Sequence, residues 1–308
     1  GNPGEWLTGD AFDATMNYDF SRISQNFFID RKNRITASVF HQRLNDLLSS
    51  IPEPARPVMQ NLFDSHDTDR LASQIKNPDR PYDGANRLQE EDGKNYDVSR
   101  PRREHYEILR LMAAFQMTWV GAPMIYNGTE VGMFGPDDPS NRKPMLWSDL
   151  EPYENPEEDF VDRDLFQYFQ RLVAIRNTCP ALREGLFHKA LADDAADVYA
   201  FWRWFPEPVS DLCLVVLNNS PEFRDVSIPG VLSDDASSSP LMPLHEGVVF
   251  DDLLASPAKI VRARMPHAEE RWNTMELRQG KEISIAVREG AIRIGLKPRT
   301  AAILQRRK

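Results

Sequence analysis

Three times within the first 180 residues a short apolar run leads into a polar stretch and then into an apolar pattern of helical period. The first run, "AFDATMNYDF" from residue 11, precedes "ASVFHQRLNDLLSSI". The second, "PVMQNLFDSHD", is followed by a long loop rich in Pro, Asp and Asn over 77–99 and then by "RREHYEILRLMAAFQMTWV". The third, "APMIYNGTEVGM", passes through another such loop into "RDLFQYFQRLVAIRNTC". Apolar residues at steps of three and four predict helices, the first stopped by Pro52 and Pro54, the second by Gly121 and Pro123. The alternation predicts βα units with parallel strands whose C-terminal loops carry function. Three units do not close an eight-stranded barrel.

After Pro180 the pattern changes to alternating, aromatic and β-branched runs: "DVYAFWRWF", "LCLVVLNN", "RDVSIPG", "KEISIAV" and "AIRIGLKPRTAAIL". These predict an antiparallel β domain. The boundary falls near residues 179 to 185, which divides the chain into 1–182 and 183–308. Between Val231 and Gln279, Ser, Pro and Asp clusters around "LSDDASSSP" predict mostly loop with one or two short strands.

A length of 308 residues is ample for two domains with substantial cores, and 41% hydrophobic and 10% aromatic residues are those of a globular protein. The 37 Lys and Arg against 47 Asp and Glu give a net charge of −10, which offers nucleic acid no cationic surface. The longest apolar runs, such as "LCLVVL", fall far short of the roughly 20 residues a membrane span needs, so no membrane partner is expected. Cys179 and Cys213 make no disulfide framework and show no metal-ligand spacing, which fits a reducing, cytoplasmic compartment. The opening "GNPGEWLTGD" has neither a Met start nor a signal segment, so the true N-terminus is expected upstream.

Chemistry concentrates in "NLFDSHDTDR", residues 61 to 70, where Asp64, His66, Asp67 and Asp69 follow an apolar run. One reading is a loop whose Asp and Ser residues cap the next helix. A calcium loop is a second, but the spacing and bidentate Glu of an EF-hand are missing. A His–Asp metal pair of a phosphohydrolase is a third, and His41, His105, His188, His245 and His267 supply no paired spacing for it. The fourth is a carbohydrate site, where a carboxylate and an imidazole bind sugar hydroxyls while positive charge develops nearby. Trp6, Tyr18, Trp119, Tyr126, Trp147 and Tyr153 lie in or beside the loops and could offer sugars an apolar platform; core packing is the alternative for any one of them.

"FDSHDTDR" resembles the motif at the end of the seventh barrel strand in the alpha-amylase superfamily of glycoside hydrolases, and "GAPMIYNGTEVGM" resembles its eighth strand. "DDPSNRKPMLW" is similar to the loop that follows, and "LTGDAFDATMNY" to the segment around the sixth strand. Among the subgroups, the neopullulanase, cyclomaltodextrinase and maltogenic amylase enzymes are the most similar. The resemblance runs from about residue 1 to 188; beyond it, "VVFDDLL" and "IRIGLKPRTAAIL" are similar to parts of the family's C-terminal β-sandwich.

The resemblance implies an α/β fold, the C-terminal part of a (β/α)8 TIM barrel with strands six to eight, followed by an antiparallel β-sandwich. It implies a retaining glycosidase acting on α-glucan oligosaccharides. Asp67 matches the aspartate that supports the transition state, and His66 the histidine beside it. Asp138 and Arg142 match a pair that contacts sugars on the non-reducing side of the cut, and Arg70 is a charge partner behind the site. No cofactor is implied; calcium occurs in the family, and no site for it is identifiable here. Where the family often has "IYYGDE" this chain has "IYNGTE", so Asn127 and Thr129 replace an aromatic and an acid, and a stacking or salt-bridging contact is expected to be missing.

A retaining glycosidase needs a nucleophile and an acid/base about 5 to 5.5 Å apart, and Asp67 matches neither. No Gly-x-Arg-x-x-Asp-like setting precedes residue 61, and in register Gly1 falls just after the family's Glu-x-Trp, so Glu5 is not the acid. The expectation is that the chain alone is inactive and that the missing N-terminal half of the barrel is its partner. A non-catalytic carbohydrate-binding or regulatory fragment is the alternative.

Overall fold

The computed structural model describes residues 3–82, 86–89, 94–205, 211–230, 244–255, 258–264, 273–279 and 284–307, with the backbone alone at 3–4, 258–264 and 273–279. Two compact units emerge: residues 1–116 with 121–169, and residues 117–120 with 170–308.

In the first unit, α1 (Tyr18–Phe28) and α2 (Ala37–Ser50) precede the strand β1 (Gln60–Asn61) and the short helix α3 (Leu71–Lys76). The long helix α4 (Arg103–Thr118), all but its last two residues in this unit, leads to β2 (Ala122–Pro123), and after a second long loop α5 (Arg163–Thr178) begins here and continues into the second unit from residue 170. The predicted helices α2, α4 and α5 are present. The helix α1 was not expected, because "AFDATMNYDF" reads as strand and polar chain. Of that run Met16 alone bridges in parallel to Gln60, and Phe12 stands 57% exposed. Asn17 turns the chain into α1 by accepting the N–H of Phe20 on its side chain at 3.2 Å.

β1 and β2 are parallel, with Gln60 beside Ala122 and Asn61 beside Pro123. The Thr15–Met16 backbone lies on the other side of β1, where Gln60 N–H donates to Thr15 O at 3.1 Å and Asn17 N–H to Gln60 O at 2.8 Å. Three chain segments thus run side by side in one direction. Gly121 lets β2 approach: with φ +120, a Cβ there would lie 2.4 Å from Asn61 Nδ2 and 2.9 Å from Met59 O. Two buried amides fasten the ladder. Gln116 donates to Asn61 O and Met124 O, each at 2.9 Å, and Asn17 Nδ2 donates to Asn61 Oδ1 at 2.9 Å. Behind it lies an aromatic core in which Phe27 stacks on Phe40 at 4.3 Å, and Phe20 stacks on Phe63 and Phe115 at 5.3 and 5.4 Å.

The second unit opens with the short helix α6 (Pro180–Glu184) and continues as strands. These are β3 (Leu186–Asp193), β4 (Val198–Trp204), β5 (Leu212–Asn218), β6 (Arg224–Pro229), β7 (Val249–Asp252), β8 (Ala258–Arg264), β9 (Asn273–Gln279), β10 (Ser284–Ala286), β11 (Ala291–Leu296) and β12 (Thr300–Arg306). A six-stranded antiparallel sheet has the order β10-β7-β12-β5-β4-β3. The ribbon β6–β11 shares a core with it: Val198, Trp202, Leu214 and Leu304 from the sheet meet Val226, Ile228, Ile292 and Ile294. Residues two apart on each strand share a face, which is the alternation seen in the sequence.

The region from Val231 to Gln279 holds more strand than expected. β7, β8 and β9 fall within it, the last two forming a separate antiparallel pair. The cluster "LSDDASSSP" lies outside the described residues. Trp119 is a core residue of the second unit, 1% exposed and packed edge-on against Phe187 at 4.4 Å, so it is not a loop platform.

Candidate functional site

The cluster after β1 separates by depth. Asp64 and Asp69 are 2% and 1% exposed, while the side chains of His66 and Asp67 are 52% and 54% exposed. Asp64 does what a capping aspartate does: its Oδ2 accepts the Leu71 N–H at 2.9 Å, at the start of α3, and the Thr129 hydroxyl at 2.7 Å. Burial pushes its carboxyl above the usual range. Thr129, one of the two departures from the family pattern, is therefore engaged in this chain with a buried carboxylate.

Asp69 faces a second buried group. Tyr96 donates to its Oδ2 at 2.6 Å, the Asn86 amide lies 3.4 Å from its Oδ1, and the Asp137 carboxylate is close by. Burial first, and then Asp137, push the Asp69 carboxyl up to about 7 against these hydrogen bonds. Asp137 is itself raised by burial, although the Arg87 Nε stands 3.6 Å away.

Between these two anchors, residues 65–68 form a tight turn held by its own polar groups. Ser65 N–H donates to Thr68 Oγ1 at 3.0 Å and Asp67 N–H to Ser65 Oγ at 3.1 Å. Asn141, fully buried, donates its amide to Ser65 O and Thr68 O at 3.1 and 2.6 Å. Buried polar groups seldom go unpaired, so each bond restricts the turn to one shape. That shape sends His66 and Asp67 outward.

Arg142 follows Asn141, so the residue that clamps the turn also delivers a cation to it. His66 Nε2 lies 3.2 Å from Asp67 Oδ1, and Arg142 Nη2 lies 3.5 Å from the same oxygen. Arg142 Nε donates to Asp138 Oδ1 at 2.5 Å. His66 and Asp67 thus meet Asp138 and Arg142, which lie far along the chain, in one cluster at the surface, Asp138 half-buried and the other three exposed.

Arg70 is fully buried beneath it and makes no ion pair among the described residues. Its Nε donates to Asn141 O at 2.8 Å, its Nη1 to Asn127 O at 2.9 Å, and its guanidinium lies 4.5 Å from the centre of the Tyr126 ring. Desolvation lowers its pKa. Arg70 therefore ties the turn after β1 to the loops after β2 through carbonyls and an aromatic face, and the stacking partner is Tyr126. Sequence reasoning passed over Asn141, Tyr96 and Asn86. Only its position next to Arg142 could have pointed to Asn141.

Residues 3–185 match the alpha-amylase catalytic domain family, more than half of the chain. The chain belongs to the alpha-amylase family of glycosidases. A cyclomaltodextrinase of Bacillus sp is 35% identical over 214 residues, 70% of this chain and 31% of that protein. Neopullulanase 2 of Thermoactinomyces vulgaris is 33% identical over 222 residues, 72% of this chain and 31% of its own. The chain therefore spans about 31% of the length of these relatives. Among solved structures, a cyclomaltodextrinase superposes with a TM-score of 0.65 at 25% identity, over 98% of this chain and 38% of that one. An Anoxybacillus alpha-amylase gives 0.65 at 18% identity over 98% and 49%, a likeness of fold. No described helix is long and apolar enough to cross a membrane.

Proposed function

We propose that this chain carries the transition-state-stabilising part of a retaining glycosidase for α-glucan oligosaccharides. On this reading its α/β portion, residues 1–182, is the C-terminal part of a (β/α)8 barrel, with Met16, β1 and β2 in its sixth, seventh and eighth strands. Residues 183–308 are the sandwich. Asp67 holds hydroxyls of the flattening sugar ring and faces its developing positive charge, and His66 binds the same ring. Asp138 and Arg142 hold neighbouring sugars, the planar guanidinium suiting paired contacts. The nucleophile and acid/base come from sequence outside these 308 residues.

What carries this reading is the contrast between a buried clamp, in which Asn141 and Arg70 donate to backbone carbonyls, and the more exposed groups it presents. Ion pairs exposed to this degree contribute only about 0 to 1 kcal/mol to stability, so folding does not require them to converge. A scaffold that fixes them in place is the arrangement that binding polyols and stabilising charge would need. Cyclomaltodextrinase and neopullulanase, the names borne by the relatives, support the glucan assignment.

The test uses the chain alone and the chain supplied with a polypeptide bearing the other barrel strands. Alone, it turns over neither cyclodextrin nor pullulan, since it has no covalent route. In the restored enzyme Asp67→Asn lowers kcat and kcat/KM together by about 10² to 10³ with KM little changed. His66→Ala, Asp138→Ala and Arg142→Ala weigh more on KM. Turnover by the purified chain, or near-full kcat in Asp67→Asn, would contradict the assignment. Binding of maltooligosaccharide with no turnover even after restoration would favour a non-catalytic sugar-binding fragment.

A further inference from the structure

The second unit brings together three groups that lie far apart in the sequence or show no ligand spacing there. A sulfur of Cys179, a sulfur of Cys213 and a carboxylate oxygen of Asp211 lie within 4.8 Å of one another, all three residues buried. The spacing of the two cysteines in the sequence gives no sign of this grouping. Asp211 immediately precedes β5 and Cys213 is its second residue, so the two, separated by one residue in the extended chain, lie on the same side. Cys179 is the residue before α6, and that helix docks on the same strand end because Ala181 N–H donates to Asp211 Oδ2 at 2.7 Å.

We propose that Cys179, Cys213 and Asp211 bind a divalent, thiophilic cation of the zinc class. The assignment is independent of the glycosidase reading. It rests first on donor chemistry, since two sulfurs and a carboxylate are ligands zinc accepts. Thiolates bound at about 2.3 Å to a tetrahedral ion lie roughly 3.8 Å apart, so donors already within 4.8 Å need to close by about 1 Å at most.

The surroundings supply a second argument. Ligating carboxylates are normally held by outer hydrogen bonds, and Asp211 is held twice: by Ala181 N–H on Oδ2, and by Gln305 Nε2 on Oδ1 at 2.9 Å. Each oxygen keeps a further lone pair for a metal.

Charge supplies a third. Cys213 is in register with Arg203 on β4 and with Gln305 on β12, so the three form a row across the sheet. Arg203 is fully buried, and its guanidinium donates only to carbonyls: Thr118 O at 2.7 Å, Gly185 O at 3.0 Å and Leu186 O at 3.3 Å. No carboxylate pairs with it among the described residues. A divalent ion with two thiolates and one carboxylate carries a net charge of −1, which this arginine neutralises. On binding, each S–H bond breaks, its proton passes to the solvent, and a sulfur–metal bond forms, with no change of oxidation state.

The experiment titrates the reduced, metal-free 308-residue chain with Co²⁺. One equivalent should produce thiolate-to-cobalt charge-transfer absorption and tetrahedral d–d bands, which one equivalent of Zn²⁺ then abolishes. Cys179→Ala and Cys213→Ala, each replacing a buried thiol with a small apolar group, should lose the charge-transfer intensity while keeping the far-ultraviolet dichroism of the parent. Gln305→Leu removes only an outer hydrogen bond and should weaken binding about 10- to 100-fold. The proposal is overturned if cobalt gives no such bands with the reduced chain, or if the bands survive in both cysteine variants. It is equally overturned if thiol titration of the unreduced, denatured chain finds no free thiol, which would make the pair a disulfide.

Discussion

A carboxyl group's depth decides what it does in "DSHDTD", and depth is what the bare sequence withholds. The capping reading holds for Asp64, whose carboxylate accepts the first N–H of α3, while His66 and Asp67 face outward beside Arg142. Asp69 yields a prediction at this scale. A carboxyl raised from 3.8 to about 7 binds its proton more tightly folded than unfolded. Its contribution to stability is therefore complete below the unfolded value and is lost as pH rises through 7. A shift of that size corresponds to about 4 kcal/mol between the two limits. Asp69→Asn keeps an acceptor for the Tyr96 hydroxyl but cannot ionise. Relative to this variant, the parent chain should lose stability between pH 4 and 8, read as a falling difference in denaturation midpoints. A difference independent of pH would show that Asp69 is not held protonated.

Elements show why some of the fold was legible and some was not. The long helices α2, α4 and α5 carry enough turns for their apolar period to stand out. The helix α1 hides because its buried face mixes Phe20, Phe27 and Phe28 with Ser21, Ser24 and Gln25; Ser21 and Gln25 find partners in Leu62 and Gln74 only in the folded unit, and Ser24 bonds back to Phe20 O. β1 and β2 are two residues each, too short for any alternation to be read, and they are fixed by Gln116 and Asn17 from elsewhere in the unit, both bonding to Asn61 of β1. The four candidate residues His66, Asp67, Asp138 and Arg142 were legible through the resemblance, whereas the clamp beside them was not, because Asn141 acts through backbone carbonyls. Asn141→Ala would leave Ser65 O and Thr68 O without this donor. Loss of a buried partner costs about 1 to 3 kcal/mol, so the midpoint of denaturant unfolding should fall with its slope unchanged. Thr129→Val removes one donor from buried Asp64 and should cost a similar amount. A neutral outcome for both would mean that the turn after β1 is shaped by something other than these bonds.

At the scale of the molecule, the proposed partial barrel has a consequence for the chain in solution. Three parallel segments run together in the first unit, and only the middle one, β1, has neighbours on both sides among the described residues. Unpaired N–H and C=O groups on the outer segments are templates for further strands. In the proposed barrel those edges pair with the remaining strands. Supplied alone, the 308-residue chain should therefore associate, its mass by light scattering rising with concentration. The net charge of −10 opposes this, and salt screens that repulsion, so association should strengthen as ionic strength is raised from about 0.01 M to 0.15 M, where the screening length falls from about 30 to 8 Å. Addition of a polypeptide carrying the other barrel strands should replace the self-associated species with a single heterodimer, because edge pairing is then satisfied inside one closed sheet. A monodisperse, cooperatively melting monomer at every concentration would instead mean that the edges are already covered. The proposal that residues 1–182 are part of a larger barrel would then have to be abandoned, whatever the role of Asp67.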